Sequence, residues 1–127
     1  MRDKNQIDIL DFLTNKIKSN LSPDLLKPEY KMFNKYNPTF GHCYVASEAL
    51  FHLAGGNASG LSIKRARDNS NISHWWLESK EGQIFDPTSE QYEHFGIKPP
   101  YKNGVSTGFL TKAPSKRAQI LMDRCLT

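Results

Sequence analysis

Cysteine is scarce in this chain: its 127 residues include two, Cys43 and Cys125. Two thiols are too few for the disulfide framework of a small secreted domain and too few for a zinc site built on thiolates. Each therefore needs its own explanation. No Cys-x-x-Cys or His-x-x-x-His pair is present, so neither a metal nor a cofactor is expected. Long apolar runs are missing as well, and nothing approaches the roughly 20 apolar residues of a membrane-spanning helix. Met1 to Gln6 leads straight into an amphipathic pattern broken by Asp8 and Asp11, without the apolar core of a secretory signal, so a cytoplasmic protein is expected. Charge is modest, a net +4 with a pI near 9.1, and unevenly spread. From Lys98 onward there are six basic residues and one acid, Asp123. Such a C-terminal third suits an acidic partner or nucleic acid, while a solvated basic face is the ordinary alternative.

What is present reads as one globular domain spanning residues 1–127. With 38% apolar and 24% charged residues, the chain is too apolar for disorder. Its length suffices to bury roughly two-thirds of the unfolded surface. Leu10, Leu13 and Ile17 repeat at helical spacing, with Ile9 and Phe12 beside them, and predict a helix over about 5–19. Ser22-Pro23-Asp24 offers an N-cap and a first-turn proline for a short second helix. After a Pro-, Asn- and Tyr-containing loop, a helix is predicted from Cys43 to Ala54, ended by Gly55-Gly56. Strands are expected at Leu61 to Arg67, Ser73 to Ser79 and Gln83 to Asp86. Thr88-Ser89-Glu90-Gln91 fits a capping box at the head of a short helix. A final helix from Pro114 carries Ala118, Leu121, Met122 and Cys125 on one face. Helices, then a small antiparallel sheet, then a helix make an α+β fold.

The chemistry starts at Cys43, which follows Gly41-His42 and opens a helix. Unpaired N–H groups and the positive end of the dipole favour a thiolate there, and they can also stabilise an oxyanion. The competing explanation is a buried cysteine acting as a small hydrophobe. Cys125, deep in an apolar stripe, is assigned to the core. His74 begins one strand and Asp86 ends the next. A three-residue loop, Lys80-Glu81-Gly82, would pair Ser79 with Gln83 and Trp76 with Asp86, leaving His74 and Asp86 diagonal on one face, roughly 7–8 Å apart along the backbone. A two-residue loop, Glu81-Gly82, would put them on opposite faces. An imidazole oriented by a carboxylate and placed beside a thiol is the recurring device of cysteine nucleophiles.

The run His74-Trp75-Trp76-Leu77-Glu78, then Gly82, then Asp86-Pro87-Thr88, resembles the transglutaminase-like signature. The order Gly41-His42-Cys43, Gly55-Gly56, His74-Trp75, Gly82, Asp86-Pro87-Thr88, Gln91 and Tyr92 is similar to small bacterial and phage proteins of the YunG-like type. The match covers about residues 41–92. It implies a minimal papain-like or transglutaminase-like core, with Cys43 as nucleophile, His74 as general base and Asp86 as the group that orients it. Two departures stand out. The His74 to Asp86 spacing is short for transglutaminases, and the position of the papain-like oxyanion amide holds Asn37 rather than a glutamine.

Around this core, His42 is a candidate oxyanion donor, and Trp75, Trp76 and Gln91 are candidate pocket residues. Gln91 has the competing role of closing the capping box. His52 is expected at the surface, and His94 is given no role. The expected activity is hydrolysis or transfer of an acyl group on a small molecule, peptide or protein. The alternative is a non-catalytic binding or inhibitory module, of a kind a phage encodes, that engages a host protein or nucleic acid through the basic C-terminal third; Lys64, Arg65 and Arg67, and Lys112, Lys116 and Arg117, are the cationic stretches that suggest binding. In that role the exposed rings among Trp75, Trp76 and Phe109 would stack bases.

Overall fold

A computed structural model describes residues 4–26, 41–69, 71–93 and 96–126. Helix α1 (Lys4–Ser19) buries Leu10 and Ile17, while Ile9 and Phe12 of the same apolar set lie outside, 58% and 64% exposed. The short second helix expected after Ser22 is a single 3-10 turn, Pro23–Leu25. Ser22 does not cap it. Its hydroxyl bonds Asp24 and accepts from Arg124, so the turn is tied to the distant end of the chain instead.

Helix α2 (Cys43–Leu53) is the centre of the molecule. A surface helix buries one stripe, but here Val45 through Phe51 are all buried, because the helix is packed by α1, by the C-terminal helix and by the sheet. Small side chains make this possible. Ala46, Ser47 and Ala49 have no exposed surface, and the Ser47 hydroxyl donates to the Trp75 carbonyl at 3.0 Å. The helix stops where Gly55 takes φ +112°, a conformation that suits a residue without Cβ.

The sheet is antiparallel throughout, in the order β3-β2-β1-β4, with β1 Ser62–Arg67, β2 Ser73–Glu78, β3 Ile84–Phe85 and β4 Val105–Thr107. Strand β4, unforeseen in the sequence, adds to the free edge of β1. A one-turn helix α3 (Glu90–Glu93) follows β3. Helix α4 (Lys116–Cys125) closes the core with Ala118, Leu121 and Cys125. It begins two residues later than expected, because Ser115 rather than a residue before Pro114 is the N-cap, accepting from the Ala118 N–H.

Alternation along the strands divides the sheet. Leu77 of β2 and Phe85 of β3 join the core shared with α2, so His74, Trp76 and Asp86 fall to the other side of the hairpin. That side is closed by Tyr92 of α3 and by the 3-10 turn Tyr101–Asn103. The fold is α+β, with the cysteine-bearing helix against a small antiparallel sheet, as anticipated. No helix among the described residues is long and apolar enough to cross a membrane.

Candidate active site

The β2–β3 turn decides whether a site exists. The Gly82 N–H donates to the Ser79 carbonyl at 3.0 Å, the Ser79 N–H donates to Gln83 at 2.8 Å, and Gly82 takes φ +86°. This is the three-residue loop, and Leu77 pairs with Phe85 and Glu78 with Ile84. One step further along the same register sets Asp86 across from Trp76 and diagonal to His74. The alternative two-residue loop is thereby ruled out.

His74 Nε2 meets Asp86 Oδ2 at 2.6 Å, and the two side chains are 0% and 2% exposed. The carboxylate is held from three further directions. Thr88 donates its N–H to Oδ1 at 3.0 Å and its hydroxyl to the same atom at 3.3 Å, an Asx-type turn made possible by the Asp86-Pro87-Thr88 spacing. Tyr101 donates its hydroxyl to Oδ2 at 2.8 Å. The Thr88 hydroxyl thus donates to Asp86, a role the capping-box reading did not foresee.

The imidazole lies parallel to Trp76 at 5.7 Å between centroids and takes the edge of Tyr92 at 4.8 Å. Tyr92 is in turn anchored by donating to Asp68 at 2.7 Å. With Nε2 on Asp86, Nδ1 is the ring atom left over, buried and without a hydrogen bond. Burial by itself would drive this histidine toward neutrality. The Asp86 carboxylate, and after it the nearby Cys43, outweigh it and raise the imidazole from 6.5 to about 9. His74 is therefore protonated at neutral pH, and Cys43 is one of the groups close enough to matter.

Cys43 is the first residue of α2, so the first-turn N–H groups of Cys43 and Tyr44 have no partner within the helix. Its Sγ donates to the Ser73 carbonyl at 3.6 Å, which fixes the head of α2 against the start of β2, one residue from His74. Cys43 lines a cleft of about 720 Å³ together with Tyr44, Trp75, Gln91, Arg67 and Arg117. Neither His74 nor Asp86 lines it. Cys43 is the member of the three that lines the cleft.

The secondary candidates divide. Trp75 and Gln91 line the cleft, and Trp75 is braced by Tyr44 at 4.8 Å and Phe109 at 5.8 Å, with the Arg65 guanidinium 5.7 Å from its ring centre. Trp76 does not line it. It has no exposed surface and backs His74. His42 is buried with neither ring nitrogen hydrogen-bonded, and burial lowers it to about 4 against a smaller opposing pull from Asp24. It is neutral at pH 7 and does not line the cleft. His52 is half-buried, not at the surface, with Nε2 unpaired. Asn37 and His94 lie outside the described residues. Cys125 is buried in the core and burial pushes its thiol up, in accord with its structural assignment.

Two groups escaped the sequence reading. Tyr101 belongs to a Pro- and Gly-rich stretch with no periodic signal, and only folding brings its hydroxyl to Asp86. Glu48, fully buried one turn beyond Cys43, accepts from the Ser115 N–H at 2.9 Å and hydroxyl at 2.6 Å, docking α4 onto α2. A charged residue inside an otherwise apolar helical run was the available signal for it. Among the described residues no group of three His, Cys, Asp or Glu side chains could hold a metal ion. No protein-family model matches the chain, and neither a curated protein nor a solved structure matches it.

Proposed function

We propose that this protein is a cysteine-dependent acyl hydrolase or acyltransferase, with Cys43 as nucleophile, His74 as general base and acid, and Asp86 as the group that orients and charges the imidazole. The reading rests on one observation: a buried 2.6 Å His74–Asp86 contact, with Cys43 at the head of α2 held on the carbonyl of Ser73, one residue from that histidine. In the proposed reaction Sγ attacks as the thiolate, its proton already held on the His74 imidazolium, and bonds to the carbonyl carbon of an amide, ester or thioester. The carbonyl electron pair moves to oxygen, which accepts hydrogen bonds from the first-turn N–H groups of α2. As the pair returns, the bond to the leaving group breaks and His74 protonates that group. Water, or an acceptor amine, then attacks the acyl-enzyme, gives its proton to His74 and releases Sγ.

The likeness to transglutaminase-like and YunG-like proteins supports the same roles for the same three residues. The free state of both cysteines accords with a reducing, cytoplasmic setting. The test is the rate at which iodoacetamide alkylates Cys43, read by peptide mass, near pH 6. The wild type is expected to react roughly tenfold or more faster than His74→Ala. Equal, slow rates in both would refute the proposal. They would favour a second reading, a binding module that keeps the scaffold without the chemistry, which is consistent with His74 having no exposed surface.

A further inference from the structure

The cleft outside Cys43 carries charge that the triad does not use. Arg67 at the end of β1 and Lys116 and Arg117 in the first turn of α4 line it beside the nucleophile, and no Asp or Glu among the described residues does. Arg67 donates to the carbonyl and side-chain oxygens of Asn71, each at 3.3 Å. None of the three cations is within ion-pair distance of a carboxylate among the described residues. Two carboxylates beside these elements, Asp68 next to Arg67 in the chain and Glu48 bonded to Ser115, are engaged elsewhere. Asp68 accepts from the Ile72 N–H at 3.0 Å and from Tyr92, while both oxygens of Glu48 accept from Ser115. Cations in the first turn of a helix also oppose its dipole. Glu48 answers the dipole at the N-cap and leaves Lys116 and Arg117 uncompensated.

Size and shape decide which anion this arrangement suits. Arg67, Lys116 and Arg117 line one concave space of about 720 Å³, a volume suited to a small molecule. Its remaining walls, among them Tyr44, Trp75 and Leu110, are apolar enough to cover a carbon skeleton. We infer that the substrate is a small acyl compound bearing an anionic group, carboxylate or phosphate, which Arg67, Lys116 and Arg117 seat while Cys43 attacks the acyl carbon. The inference rests on the acyl-transfer reading of Cys43.

Iodoacetate and iodoacetamide share a mechanism and nearly a size, and differ in charge. The experiment compares their rates at Cys43, each relative to a free thiol such as N-acetylcysteine. The iodoacetate-to-iodoacetamide ratio should exceed that of the free thiol by about tenfold at low salt. It should fall toward the free-thiol value in high salt and in Arg67→Gln and Lys116→Gln/Arg117→Gln, but not in Lys80→Gln, outside the cleft. Protection of Cys43 by succinate or by inorganic phosphate then tells carboxylate from phosphate. A ratio equal to the free thiol's, with iodoacetamide still fast and dependent on His74, overturns the anionic substrate and leaves the acyl-transfer reading standing. A Cys43 inert to both reagents removes the two together. Protection by single-stranded oligonucleotide alone, with steep salt dependence, would overturn the inference in favour of nucleic acid.

Discussion

The charged state of His74 makes stability a test of the site that requires no substrate. A histidine raised from 6.5 to about 9 on folding contributes stability that is fully present below 6.5 and lost as pH rises through 9. The full contribution corresponds to about 3 kcal/mol, a large share of the roughly 5–15 kcal/mol that holds a typical domain together. Urea denaturation at about pH 6, 7.5 and 9.5 should therefore find the wild type progressively weaker toward alkali. Other groups titrate in the same interval, so the comparison that matters is with His74→Gln, which cannot take up the proton. The difference between the two chains' slopes isolates the imidazole. Asp86→Asn gives the complementary result. Without the carboxylate, burial prevails, the imidazole becomes neutral, and the alkaline loss should disappear along with about 3–5 kcal/mol of stability from the broken buried pair. A wild type whose stability is flat between 6.5 and 9, or which keeps its slope in His74→Gln, would refute the claim that His74 is held as an imidazolium.

Three further substitutions probe what surrounds the pair. Tyr101→Phe removes one donor from Asp86 and should cost about 1–2 kcal/mol by urea titration, while slowing Cys43 alkylation less than His74→Ala does. Gly104→Ala sets a Cβ 2.5 Å from the buried Trp76 ring that backs His74, and should destabilise by about 1–3 kcal/mol with a shift in tryptophan fluorescence. Glu48→Gln weakens the charge-assisted bonds that dock α4 on α2. A loss of about 1.5–3 kcal/mol is expected by thermal denaturation, and an unchanged melting temperature would deny that docking role.

Much of the site was legible because it is local. The twelve residues from His74 to Asp86 contain their own geometry: two strands of period two and a glycine at the one turn position that needs positive φ. Once the turn is read as three residues long, the His–Asp diagonal follows from sheet geometry alone. The Asp86-Pro87-Thr88 turn is equally local, yet the Thr88 hydroxyl had two partners within reach, the helix ahead and the carboxylate behind. Sequence could not choose between them. Helix α2 was legible for a similar reason, from its apolar run and its terminating glycines, whereas Ile9 and Phe12 show that an apolar residue at helical spacing need not be buried.

The chain's own order determined the α+β class, the hairpin register and the pairing of His74 with Asp86, since each rests on periodicity or on contacts between near neighbours. Tertiary structure alone decided the rest. Strand β4, Tyr101 on Asp86, Glu48 on Ser115 and the joining of Arg67 to Lys116 and Arg117 across one cleft all link residues from 15 to 67 positions apart. Such contacts depend on how packed elements settle against one another, and no local propensity encodes them.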